Sequence, residues 1–458
     1  MKLSKAQILG KFKSFFRVRF GAENLTSFAG LVVFGLLFTR LNLKERLRDC
    51  FDRLGGSPSY PRHLIMLWLV IHLLLGFRRL RDIEYYRDDP LVLRTLGLKR
   101  LPHLSVISRA LKKMNEAEVE KLADLNCELV MERLRAENFP RLTVDFDGSV
   151  ISTKGKYEGT AIGYNPQHKG WRSYYPLFCT IAQTGQFFDG LHRPGNVHDS
   201  KLSHGFFLSC FDYLRRELPQ TILEARLDNA HFSHNTLELL GDYRVQFTAS
   251  TPFARFWELK SLIDNRARWG RIDERWSYFE TMWKPKSWDK EYRFVFLRQR
   301  VDKPNKEPLQ LDLFTPVSRE YEYSVIVTNK QESAKAVMQF HHGRGAQEGI
   351  FGEAKSQTAL DVIPTKRLHA NRAFTLCSMM AHNLGRELQM QLSPPQREQS
   401  PTRAALWCFK KLDTLRREIL NRAGRLIKPH GKLILSLPDH PAFRRDFERC
   451  LEILKPAA

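Results

Sequence analysis

Residues 141–150 read Arg-Leu-Thr-Val-Asp-Phe-Asp-Gly-Ser-Val. Leu142, Val144 and Phe146 alternate with Thr143, Asp145 and Asp147. A period of two predicts a β-strand with one face in a core. The other face carries an acidic pair, which is costly unless cations neutralise it. Gly148 and Ser149 turn the chain away and leave Asp147 near the strand's exposed end. A second strand-like run, Thr221 to Leu227, leads into Asp228. A third carboxylate, Glu348, sits in a helical stretch, four residues after Arg344 and seven before Lys355. That spacing places all three on one helix face. Glu353, five residues on, points to a different face. Three carboxylates gathered at one sheet edge can bind two hard divalent cations, Mg²⁺ or Mn²⁺. Two such ions about 4 Å apart activate an attacking oxygen and stabilise the leaving oxygen of a phosphodiester. Arg344 and Lys355 are suited to hold the flanking phosphates.

The helix around Glu348 also contains Gly345, Gly349 and Gly352. Glycine is a poor helix former, so the cost of three makes sense if the helix must approach a sheet or a DNA backbone closely. Asp145 is a second candidate acid on the same strand face.

Composition narrows the partner. Lys plus Arg number 73 against 50 for Asp plus Glu, a formal charge of +23. An excess spread over the whole chain favours a polyanion, most simply nucleic acid. The seven cysteines form no Cys-x-x-Cys pair, so neither a zinc site nor a disulfide framework is expected. Free thiols fit a reducing cytoplasm. The apolar runs Phe28 to Phe38 and Leu64 to Phe77 fall short of the ~20 residues a spanning helix needs. Both are expected to be buried helices, with no membrane partner.

The 458 residues suggest two or three domains. Residues 1–135 show helical spacing and are expected to form a helical unit. Within it, the segment Leu101 to Lys113 predicts a short helix, with Pro102 stopping the element before it and Ser105 as its cap, carrying Arg109, Lys112 and Lys113. It could be the second helix of a helix-turn-helix lying in a major groove, or an amphipathic helix with a solvated basic face. Residues 136–250 and 336–395 alternate strands and helices around the acids, and include a hairpin from Tyr175 to His192 turning at Gln183-Thr184-Gly185. Residues 251–335 hold five of the eight tryptophans and strand-like runs at Tyr292 to Val301, Leu309 to Thr315 and Tyr323 to Thr328, a β-rich insertion. Basic residues interleave with its aromatics, a mix suited to stacking on bases or, equally, to a small β core. Residues 396–458 read as a helical basic tail.

Four features together resemble the DDE transposases of bacterial insertion sequences, in the branch whose ribonuclease-H-like domain is interrupted by β-strands. They are Asp147-Gly148-Ser149 after an apolar strand; Gly159 through Pro176 leading to Arg193-Pro194-Gly195-Asn196; Arg226-Leu227-Asp228-Asn229-Ala230-His231-Phe232; and the Arg344, Glu348, Lys355 spacing. The resemblance implies an α/β fold: a ribonuclease-H-like mixed sheet flanked by helices, a β-rich insertion, and an N-terminal helical domain that binds the DNA ends. It implies that Asp147, Asp228 and Glu348 hold two Mg²⁺ (or Mn²⁺) ions, and that Arg344, Lys355 and His341 contact phosphate. His341 stands where the family usually has tyrosine. A tryptophan of the insertion is implied to stack on a flipped base, with Trp269, Trp276 and Trp283 as candidates. Arg109, Lys112 and Lys113 are candidates for end recognition. The implied partners are double-stranded DNA, at terminal inverted repeats and target, and a second copy of the chain on DNA. The implied activity is cleavage at element ends followed by strand transfer. A stand-alone metal-dependent nuclease and a non-catalytic DNA-binding descendant are the alternatives.

Overall fold

The structure is a computed structural model, and it describes residues 21, 23–51, 59–197, 202–301 and 320–455. The run Leu309 to Thr315 lies outside the described residues. Four helices, Leu31–Arg40, Leu43–Asp49, Arg62–Leu74 and Pro90–Leu96, precede α1 (Leu104–Lys112) and α2 (Glu116–Glu137). His103, not Ser105, caps α1: its ring accepts the Ser105 N–H, because the helix begins two residues earlier than a serine cap would start it. Asn115 and Glu118 form a reciprocal capping box on α2.

A mixed sheet of nine strands organises the rest. Its strands are β1 (Arg141–Gly148), β2 (Leu177–Ile181), β3 (Gln186–Leu191), β4 (Ile222–Leu227), β5 (Gln246–Ser250), β6 (Gly270–Arg271), β7 (Trp276–Trp283), β8 (Tyr292–Arg300) and β9 (Tyr321–Thr328). The order is β6-β7-β8-β9-β5-β4-β1-β2-β3. β1, β4 and β5 are parallel, while β2 and β3 form the expected antiparallel hairpin. β9 pairs antiparallel with β5, so the insertion continues the central sheet instead of building a sheet of its own. Two helices on the opposite face, Ser203–Glu217 and His234–Asp242, link the parallel strands. After β9 come α3 (Ala334–His342), α4 (Gly345–Gln357) and α5 (Leu368–Leu392).

Two large cores divide the molecule. One holds the apolar face of β1 with the helix Ser203–Glu217, where the Phe146 ring lies 4.3 Å from Phe207, and it extends into Phe279, Phe294 and Val325 of the insertion. The other joins the N-terminal helices to α4, α5 and the tail: Trp68, Phe351, Met379, Leu412 and Phe447 share one buried cluster. The N-terminal helices and the tail therefore pack as one body around α5. The tail is not simply helical. Gly424–Ile427 pairs with Ile434–Ser436 and with Leu25–Thr26, and the one long tail helix is Pro441–Leu454. Arg416 crosses between the parts, donating to Leu73 O, Leu74 O and Gln357 O, the last at the end of α4. Among the described residues no helix is long and apolar enough to cross a membrane.

Candidate active site

β1 and β4 run side by side in parallel, with Asp145 opposite Arg226. Two residues further along each strand stand Asp147 and Asp228. The shared register brings together two acids that are far apart in the chain, since neighbouring strands lie about 5 Å apart. Asp147 Oδ1 accepts the Gly148 N–H at 2.8 Å, and Asp228 Oδ1 accepts that of Ala230 at 3.1 Å where the chain enters a 3₁₀ turn. Gly148 is required by packing: a Cβ there would lie 2.6 Å from the Tyr175 ring.

Burial, reinforced by the negative charge of Asp228, pushes the Asp147 carboxyl up to about 6 against the opposing pull of Arg344. Burial also raises Asp228, against Arg344 and the Ala230 and His231 amides. Arg344 is the nearest compensating cation, its Nη1 3.1 Å from Asp147 Oδ2. Beneath this pair Asp145 is fully committed. Arg226 donates to both of its oxygens at 2.6 Å. Gly343 makes room for that guanidinium, since a Cβ would sit 2.1 Å from Arg226 Nη1. The helix that carries Glu348 and Lys355 begins at Gly345 with Arg344 as its N-cap, so Arg344 stands just before α4 rather than inside it. Gln347 pins the start of α4 to the sheet, donating to Asp145 O and Thr180 Oγ1, each at 2.9 Å.

The remaining candidates divide. Glu348 occupies the first turn of α4 and is exposed. Lys355 is half-buried on the same helix, close enough to Asp147 and Asp361 to feel both charges, although burial lowers its pKa. Among the described residues no three of His, Cys, Asp and Glu are gathered closely enough to hold a metal ion. The structure therefore brings two acids and a cation together and leaves Glu348 on the helix above them. Two neighbouring carboxylates supply the hard oxygen donors that a divalent cation takes. Glu353 is a structural acid: it pairs with Arg386 at 2.5 Å and accepts the Leu412 N–H at 2.8 Å.

His341 corrects an expectation. It is buried, and its two ring nitrogens lie 2.9 Å from Ser250 Oγ and Thr248 Oγ1 of β5. Burial lowers its pKa to about 3. A neutral ring with both nitrogens engaged has no donor to offer phosphate. The three candidate tryptophans are half-buried and packed in place. Trp269 packs edge-on against Phe279, Trp276 lies against His342, and Trp283 against Phe256 and Phe294. The tryptophan open to solvent is Trp257, 72% exposed, at the start of the helix Trp257–Asp264. Composition had placed it in the insertion, but only its position outside the strands sets it apart. Arg109 and Lys112 lie on the exposed face of α1, with exposed Lys113 at its end, while Ile107, Ala110 and Leu111 face the core. Gly345, Gly349 and Gly352 face open space, with nothing within 4 Å of a built Cβ. The sheet therefore does not require them.

The family model described as "Transposase DDE domain group 1" matches residues 10–458, and the chain belongs to that family. No curated protein matches. Among solved structures, the piggyBac transposase synaptic complex with hairpin DNA matches with a TM-score of 0.45 and 10% identity, over 78% of this chain and 74% of that one. The Mos1 paired-end complex with the left transposon end matches with a TM-score of 0.17 and 13% identity, over 43% of this chain and 61% of that one. A Mos1 paired-end complex with Mn matches with a TM-score of 0.17 and 15% identity, over 46% and 65%.

Proposed function

We propose that this member of the DDE transposase family cleaves DNA at the ends of its own element and joins the freed ends to target DNA, using Mg²⁺ or Mn²⁺. The observation that carries this reading is the parallel register of β1 and β4, which pairs Asp145 with Arg226 two residues before Asp147 and Asp228. Asp147, Asp228 and Glu348 are the proposed metal ligands, with Glu348 completing the set from α4. The bound ions supply activation of the attacking oxygen and charge neutralisation on the leaving one. The chain's own groups supply the rest. Arg344, now on Asp147, and Lys355 hold the phosphates flanking the scissile bond. Asp145 and Arg226 fix the strand ends from below.

The exposed glycine side of α4 offers a surface where a sugar-phosphate backbone can approach a helix without meeting side chains. The N-terminal helices, with Arg109, Lys112 and Lys113, take the terminal repeats, and a homodimer forms on DNA. Base stacking is assigned to Trp257, since Trp269, Trp276 and Trp283 are already engaged.

Incubating the protein with a labelled element-end duplex, target DNA and Mg²⁺, then resolving the strands on a denaturing gel, tests the reading. Cleavage at the end together with a longer joined product supports a transposase. Cleavage alone supports the nuclease alternative, and binding without cleavage supports the non-catalytic one.

A further inference from the structure

A cleft of about 520 Å³ opens between α1 and the segment that follows α4. Ser108 and Lys112 line one wall, and Thr365, Lys366 and Arg367 the other. Glu158 lies between them. The walls come from parts of the chain more than two hundred residues apart, and the second is held in place. Glu158 N donates to Lys366 O at 3.1 Å, and Leu368 N donates to Glu158 Oε2 at 3.3 Å. Thr365 Oγ1 bonds Asn371 Oδ1 at 2.9 Å, at the start of α5.

The charge balance of the cleft is one-sided. Its single acid, Glu158, already has Arg367 at 3.9 Å as well as the Leu368 amide. Lys112 and Lys366 are exposed and make no ion pair among the described residues. Two ammonium groups that line one cleft without forming an ion pair repel, and an anion between them relieves that repulsion. The lining includes no aromatic side chain on which a planar organic ligand could stack. The second wall also continues directly from α4 through Asp361, which Arg78 holds at 2.8 Å.

We propose that this cleft grips the sugar-phosphate backbone of bound DNA, with Lys112 and Lys366 pairing with phosphate from opposite sides. The proposal rests on the DNA-processing reading above and sharpens it. Lys112 then serves backbone positioning and not base readout, so its contribution is independent of sequence. The strand so held runs between the helix offered for end recognition and the segment trailing the proposed catalytic helix.

The test is fluorescence anisotropy on the full chain in Ca²⁺, over a salt series, with an element-end duplex and a scrambled duplex. Lys112→Gln/Lys366→Gln is compared with Lys112→Arg/Lys366→Arg and wild type, with thermal melts confirming that each is folded. Each phosphate contact contributes about 0.9 to the salt slope. The glutamine pair is expected to lower the slope by about 1.8 on both duplexes, weakening both by the same factor, while the arginine pair keeps it. An unchanged slope, or weakening confined to the element end, or loss in the arginine pair, overturns the cleft assignment. Competition by inorganic phosphate at micromolar concentration also overturns it, by making this a free-anion site. If wild type binds with a cleft-dependent slope yet never cleaves, the cleft stands and the catalytic reading falls. If wild type cleaves while the slope ignores Lys112 and Lys366, the reverse holds. If wild type binds neither duplex, both fall.

Discussion

Arg226 holds Asp145 through two hydrogen bonds of 2.6 Å, one layer below the Asp147–Asp228 pair. The bond joins β1 to β4 at the point where their ends must stay in register. It also explains why an arginine precedes Asp228 by two: both side chains leave the same face of β4. Arg226→Met would strand a buried carboxylate, and a loss of about 3–5 kcal/mol is expected in urea unfolding. Arg226→Lys should recover only part of it, since an ammonium cannot make the two-pronged contact. A loss below about 1 kcal/mol for Arg226→Met would show that the clasp is dispensable.

The two glutamates of α4 should separate stability from activity. Glu353 is buried against Arg386, so Glu353→Ala is expected to cost about 3–5 kcal/mol. Glu348 is exposed and its replacement by alanine should stay within about 0.5 kcal/mol. The same Glu348→Ala protein should lose end cleavage while still binding DNA. Full cleavage by that variant would remove Glu348 from the ligand set.

Gly349 gives an opposite pair of effects. A Cβ there meets nothing within 4 Å, so Gly349→Ala should stabilise the free protein by up to about 1 kcal/mol. If the bare face exists for a DNA backbone, the same methyl should weaken duplex binding. A variant that melts higher and binds DNA as tightly as wild type would leave the glycines without that role.

His341 supplies a pH test. Burial sets its folded pKa at about 3, below the ordinary 6.5. A depressed histidine contributes stability that is complete above pH 6.5 and is lost as pH falls from 6.5 toward 3. His341→Gln takes up no proton, so its stability should fall less steeply between about pH 6 and 4, by about 1.4 kcal/mol per pH unit for the single proton. His72, His192 and His382, also lowered by burial, titrate alike in both proteins and cancel, as do the raised Asp147 and Asp189. Parallel curves for the two proteins would show that His341 is charged or exposed in solution.

Much of the sheet was legible because alternation over seven residues, as in Leu142 to Gly148, leaves little choice of structure. The positions of Asp147 and Asp228 at strand ends followed from the same alternation. That they stand side by side did not, because register is set by hydrogen bonds between strands 81 residues apart in sequence. The burial of His341 was hidden for the same reason: Thr248 and Ser250, its partners, come from a strand about ninety residues earlier. Tryptophan content marked the insertion but not which ring is open, since packing decides that residue by residue. The tail strand Gly424–Ile427 has only four residues, too few for a period to show.

The most direct test of the Asp147–Asp228 site is single-turnover cleavage of an element-end duplex in Mg²⁺ by wild type, Asp147→Asn, Asp228→Asn and the double variant, each shown to bind the duplex. Groups that act as one unit are expected to lose rate together: each single change by at least about 10³-fold, and the double no further. Retention of a rate within about tenfold of wild type by either single variant would contradict the site.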